Sequence, residues 1–202
     1  MSLPPLGDSS RATQNHRPNF GAMFSFVVVI AIVWVVLYQL NLWIFSELHF
    51  ADSGATGLIS WIFLPAAIRV LAVMIGGWSG ALGLFLGALA TNAIFADLDL
   101  INSLIISALS ALGPLAAVYL CTRWLKLPND LSGLQRSQLL IFSVAGSIFN
   151  VFPHNLYFYL AGMADDAWSG VIPMLVGDIV GTLTVLYVAS LSIRFVLNRA
   201  RI

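Results

Sequence analysis

The stretch Trp61–Asn92, WIFLPAAIRVLAVMIGGWSGALGLFLGALATN, constrains this chain more than any other. It is apolar almost throughout, but Pro65, Arg69 and the run Gly76-Gly77-Trp78-Ser79-Gly80 interrupt it. Each half is long enough for a membrane helix, and the glycine break between them predicts a helical hairpin. An arginine inside such a segment is costly unless its charge is met or reaches an interface. What meets Arg69 is therefore the main question the sequence poses.

Composition makes lipid the solvent. Of the 202 residues, 59% are hydrophobic and only 9% charged, against about 25% charged in soluble domains. Mean hydropathy is +0.93. So few charges cannot cover a globule with polar surface. Formal net charge is zero, so bulk charge implies no nucleic-acid partner. The single cysteine, Cys121, excludes an intramolecular disulfide and a cysteine zinc cluster. No GxxxxGK[ST] occurs, and no kinase, cyclase or nucleotide-binding module is expected. Residues 1–20 are polar, rich in Pro and Ser, and lack the apolar core of a signal peptide. They are expected to form a disordered cytoplasmic tail. Residues 21–202 then form a single transmembrane domain.

Six segments meet the length rule for membrane helices: Gly21–Phe45, Gly57–Ile75, Ser79–Phe95, Leu100–Trp124, Gln138–Leu160 and Gly170–Leu197. The expected fold class is all-α, an integral membrane protein with six transmembrane helices and both termini cytoplasmic. Charge placement supports that count. Arg11, Arg17, Arg123, Lys126, Arg136, Arg194, Arg199 and Arg201 all fall on one side, and Glu47, Asp52, Asp97, Asp99, Asp165 and Asp166 on the other. The basic side is cytoplasmic by the positive-inside rule. Short loops predict antiparallel neighbours. Gly83-xxx-Gly87 and Gly177-xxx-Gly181 predict close helix packing.

Polar residues at membrane depth carry the functional reading. Arg69 either snorkels to the inner interface or pairs with Asp178, the only acidic residue within a predicted helix. On the fifth helix Ser143, Ser147, Asn150, His154 and Tyr157 recur at three- and four-residue steps, beside Pro153 and Asn155. The fourth helix carries Ser103, Ser107 and Ser110, with Gly113-Pro114 beyond. Such stripes are either interhelical hydrogen-bond glue or the wall of a polar cavity. Asn92, Asn150, His154, Asn155 and Asp178 all fall in the outer half of the predicted topology, which favours a cavity there.

Three chemical readings are weaker. Gly77-Trp78-Ser79-Gly80 matches the GxSG serine motif of intramembrane rhomboid proteases. Ser79 is predicted in a cytoplasmic turn and His154 in the outer half, too far apart for a nucleophile and its base. Glu47, His49 and Asp52 share one loop, which a solvated loop explains as well as a metal site. His154 and Asp178 alone are thin support for a proton relay. No catalytic residues, metal or cofactor are expected, and the chain is not read as an enzyme.

Several pieces resemble the MASE-type membrane-associated sensor domain of bacterial histidine kinases and diguanylate cyclases. They are Phe63-Leu64-Pro65-Ala66-Ala67, Gly76 to Gly80, Leu86-Gly87-Ala88-Leu89-Ala90-Thr91-Asn92 and Gly177-Asp178-Ile179-Val180-Gly181. They cover under a quarter of the chain. The chain departs from the family in being shorter, with fewer helices and no signalling domain after the sixth. The resemblance implies a stand-alone, sensor-like module of a bacterial cytoplasmic (inner) membrane, signalling through a separate membrane or cytoplasmic protein partner. Six helices in about 200 residues with an outer cavity also look like the substrate-capture subunits of energy-coupling-factor transporters, which bind vitamins. The small-residue motif expected on their first helix is absent from Phe24–Leu40. An accessory subunit of a larger membrane complex is the third reading. The expected ligand site is Arg69, Asn92, Asn150, His154, Asn155 and Asp178.

Overall fold

The computed structural model describes residues 20–47, 59–96, 98–127 and 135–199. For residues 46, 47, 136, 189, 190 and 192–199 it describes the backbone alone. The expected tail before Phe20 and the loop with His49 and Asp52 lie outside the described residues, as do Asp97 and Arg201. The chain is all-helical over the described residues: α1 (Phe20–Glu47), α2 (Ala66–Gly76), α3 (Trp78–Phe95), α4 (Leu100–Trp124), α5 (Arg136–Leu160) and α6 (Val171–Arg199). Five of these are long and apolar enough to cross a membrane, and α2 is a shorter apolar helix. This is a multi-pass membrane protein.

The faces of α5 show how lipid organises the fold. Leu140, Val144, Ile148, Phe152 and Leu156 recur every four residues and point outward, exposed. Ser147, Asn150 and His154 point inward, buried. A water-soluble helix has the opposite pattern. With lipid outside, the helix gains nothing from hiding leucine, so its polar groups turn inward and find one another.

The second predicted span differs from expectation. A helix was expected over Gly57–Ile75, but α2 starts only at Ala66. Residues 59–63 are irregular, and the chain turns through Leu64 and Pro65 into the helix. Pro65 has no N–H and disfavours helical geometry in the residue before it. The irregular backbone survives because its donors are met by protein. The Ile62 N–H donates to Ser60 Oγ (3.3 Å), Phe63 N–H to the Gly177 carbonyl (3.0 Å) and Leu64 N–H to Asn41 Oδ1 (2.9 Å). Non-helical backbone at membrane depth is tolerated only when buried and satisfied in this way.

Gly177 and Gly181 make that contact geometrically feasible. A Cβ at Gly177 would lie 2.1 Å from the Ser60 carbonyl oxygen, and one at Gly181 2.0 Å from that of Phe63. The glycine pair was expected to seat a helix, and instead seats this irregular strand of chain. Gly83 and Gly87 do seat a helix: Gly83 rests on Val27 and Ile30, and Gly87 on Ala31 and Trp34. That register makes α1 and α3 parallel. The shortest helix, α2, sits at the centre and touches all five others.

The ends are capped locally. Asp99 accepts the Asn102 N–H at the start of α4 (2.8 Å), and Gln138 accepts the Gln135 N–H before α5 (2.8 Å). Gly77 turns α2 into α3 with φ of +53°, a conformation that favours glycine. In the connection before α6, Asp166 accepts the N–H groups of Trp168 and Ser169, both at 2.7 Å, which hold its carboxyl below the usual carboxylate range.

Gly177→Leu is therefore expected to destabilise the fold by about 1–3 kcal/mol or more through overpacking against backbone. Leu183→Ala, on a lipid-facing position of the same helix, should change stability little. Unfolding midpoints in detergent check the contrast.

Candidate functional site

Arg69 lies in the second turn of α2, where the irregular segment delivers it to the middle of the bundle. It is buried, as is Asp178 on α6, and Arg69 Nη1 donates to Asp178 Oδ2 at 2.8 Å. Of the two expectations for Arg69, pairing holds and snorkelling does not. The guanidinium carbon also lies 4.8 Å from the ring centroid of Phe63 and 5.4 Å from that of Trp34. Both rings therefore present π-density to the cation. Asn150 Nδ2 donates to the same carboxylate oxygen at 3.2 Å.

This arrangement leaves polar atoms over. Asp178 Oδ1, Asn150 Oδ1 and Arg69 Nε are buried and have no hydrogen-bond partner among the described residues. Buried polar atoms are ordinarily satisfied, so three together mark a place for water or a ligand. A cavity of about 50 Å³ is lined by Arg69 and Asp178, though not by Asn150, together with Trp34, Asn92, Ser110 and His154 among others. A water needs roughly 10–15 Å³ on this measure, so the space holds roughly three to five waters or a solute of comparable size.

The other walls are held by short bonds within and between helices. Asn92 Nδ2 donates to Ser107 Oγ (3.1 Å), whose hydroxyl donates to the Ser103 carbonyl (2.6 Å). His154 Nδ1 lies 2.7 Å from the Asn150 carbonyl oxygen. A carbonyl only accepts, so the proton sits on Nδ1. The other ring nitrogen, Nε2, lies 3.3 Å from the Ser110 hydroxyl. Pro153 leaves the Phe149 carbonyl without its helical partner, and α4 approaches there closely: a Cβ on Gly113 would lie 2.8 Å from that oxygen.

Five of the six residues singled out from sequence thus converge. Arg69, Asn92, His154 and Asp178 line the cavity, and Asn150 ties Asp178 to α5. Asn155 does not join them. It faces the start of α6, donating to the Val151 carbonyl (2.9 Å) and approaching Met174 Sδ at 3.6 Å. The sequence reading missed Trp34, Tyr38, Ser60, Phe63 and Thr91, all of which line the cavity. Trp34, Tyr38 and Asn41, three and four residues apart on α1, were a legible signal. Ser79 donates to the Gly76 carbonyl (2.7 Å), while His154 is engaged with Ser110 and Asn150, so the GxSG serine does not meet this histidine.

Scans against protein-family models, curated proteins and solved structures return no match.

Asn150→Ala removes one of the two donors on Asp178 and is expected to cost about 1–3 kcal/mol. Trp34→Phe keeps a ring facing Arg69 but loses the indole bond to Thr91 Oγ1 (3.2 Å), and should cost about 0.5–1.5 kcal/mol. Reversible unfolding in mixed micelles orders the two.

Proposed function

We propose that this protein is a sensor-like membrane module that binds a small molecule in the outer half of its bundle and signals through a separate partner chain. The observation that carries this is the cavity lined by the Arg69–Asp178 pair, each member of which keeps one buried polar atom without a partner among the described residues. Buried polar atoms of this kind call for a bound water or a small polar solute.

The pair also restricts the ligand. Arg69 and Asp178 compensate one another, so the site is formally neutral. A charged solute would bring an uncompensated charge to membrane depth, which is costly. The ligand class that fits is compact, neutral overall and rich in both donors and acceptors. A vitamin-sized ligand needs roughly 300 Å³ or more, so the transporter alternative requires the cavity to open. One feature favours transport: a helix broken where it lines a site is a recurrent transporter device.

The irregular segment at 59–65 and α2 together act as a sixth crossing in this reading. The parallel run of α1 and α3 supports that, because a return pass must separate them. Arg123 lies in the last turn of α4 and Lys126 just beyond it, and Asp165 and Asp166 sit at the opposite end of the bundle. That separation supports cytoplasmic termini and a cavity toward the outer face of a bacterial inner membrane. The MASE-type resemblance belongs to the same reading, as does a protein partner that receives the signal.

The test uses four solutes of similar size on the purified protein: glycine and acetamide, neutral overall, against acetate and methylammonium. Bound ligand stabilises by mass action. Saturable rises in unfolding temperature are expected with glycine or acetamide, and none with the two ions. Equal responses to all four, or none to any alongside stoichiometric co-purification with a larger complex, would instead favour the accessory-subunit reading.

A further inference from the structure

A second site lies at the other end of the bundle. Between the α2–α3 turn and α4 is a groove of about 550 Å³, lined by Val73, Ile75, Trp78, Leu115, Tyr119 and Arg123 among others. It continues into a groove of about 470 Å³ that shares Trp78, Leu115 and Tyr119 and reaches Leu112. Neither lies at the cavity beside Arg69.

The chemistry of this groove is graded along its length. Leu112 and Leu115 make its deep end apolar. Trp78 and Tyr119, 74% and 54% exposed, flank the middle with amphipathic rings. Arg123 closes the shallow end, its guanidinium carbon 4.4 Å from the Tyr119 ring centroid. That guanidinium has no acceptor among the described residues, whereas the neighbouring Thr122 hydroxyl is occupied by the Val118 carbonyl (2.7 Å). From Leu112 to Arg123 is about 16 Å along a helix. One leaflet of the hydrocarbon core is about 15 Å deep. The groove therefore spans one acyl layer, with aromatic rings at interfacial depth and, at headgroup depth, a cation that has no acceptor among the described residues.

We propose that this groove binds one phospholipid with an anionic headgroup, its phosphate on Arg123 and an acyl chain along Trp78, Leu115 and Leu112. Charge selects the occupant: an arginine with unused donors prefers a headgroup of net negative charge over a zwitterionic one.

The test is native mass spectrometry of the full-length protein in detergent, titrated with phosphatidylglycerol and phosphatidylcholine of identical chains. A preference of about fivefold for phosphatidylglycerol is expected, the factor one arginine near a membrane surface contributes. Arg123→Gln, at an exposed position that leaves the fold intact, should abolish that preference. Lipid with brominated chains should quench the native protein more than Trp78→Phe, which locates the chain in the groove. Equal binding of the two lipids by the native protein would overturn the proposal. So would a preference that survives Arg123→Gln, or competition by glycerol phosphate as strong as by the lipid.

Discussion

The ion pair between Arg69 and Asp178 is the constraint on which the rest of this structure depends. An unpaired arginine at the centre of a membrane helix costs about 2.5–3.5 kcal/mol on insertion scales, and removing one partner of a buried pair costs about 3–5 kcal/mol. The fold is arranged to avoid both. Asp178 faces α2 because Gly177 and Gly181 let the chain leading to Arg69 lie directly on α6. Asn41 and the Gly177 carbonyl fix that chain in place. Trp34 and Phe63 then surround the cation with aromatic faces. Four separate segments thus serve one contact.

The pair is well made but not fully satisfied. Both donors reach Oδ2 of Asp178, and Oδ1 has no partner among the described residues. Asp178 also lines the cavity, where a bound water or small solute can supply the missing hydrogen bond. Buried charge that is neutral as a pair yet incompletely hydrogen-bonded suits recognition of a small polar, uncharged partner. The same logic separates the two sites. The cavity at Arg69 is charge-balanced and narrow, whereas the groove at Arg123 is larger, lies at the surface and carries a cation with no acceptor among the described residues.

Much of this was legible in the sequence, for physical reasons. Length and apolarity found the five long helices, with α4 matched residue for residue over Leu100–Trp124. Three- and four-residue spacing on α5 found its inward polar face. A lone acid and a lone arginine at membrane depth pointed to each other. The broken second span was not legible from hydropathy, because Ile59 to Leu64 is as apolar as a helix and only tertiary partners decide its conformation. Pro65 was the local hint. Phe63 was missed because an aromatic residue in an apolar stretch reads as lipid-facing until a cation is placed beside it, and Trp34 because its spacing with Tyr38 and Asn41 was not read as an inward face of α1. Asn155 was grouped with the site by adjacency: it is one residue from His154, about 100° around the helix, and faces the start of α6.

The measurement that tests this account most directly is a double-mutant cycle across the pair. Arg69→Met, Asp178→Leu and the double variant would be compared with the native protein by reversible unfolding in mixed micelles. Each single variant strands a buried charge, so each should lose about 3–5 kcal/mol. The double variant removes both charges and should lose less than the sum by at least about 2 kcal/mol. Additive losses, or single variants within about 0.5 kcal/mol of native, would contradict the claim that this contact organises the bundle.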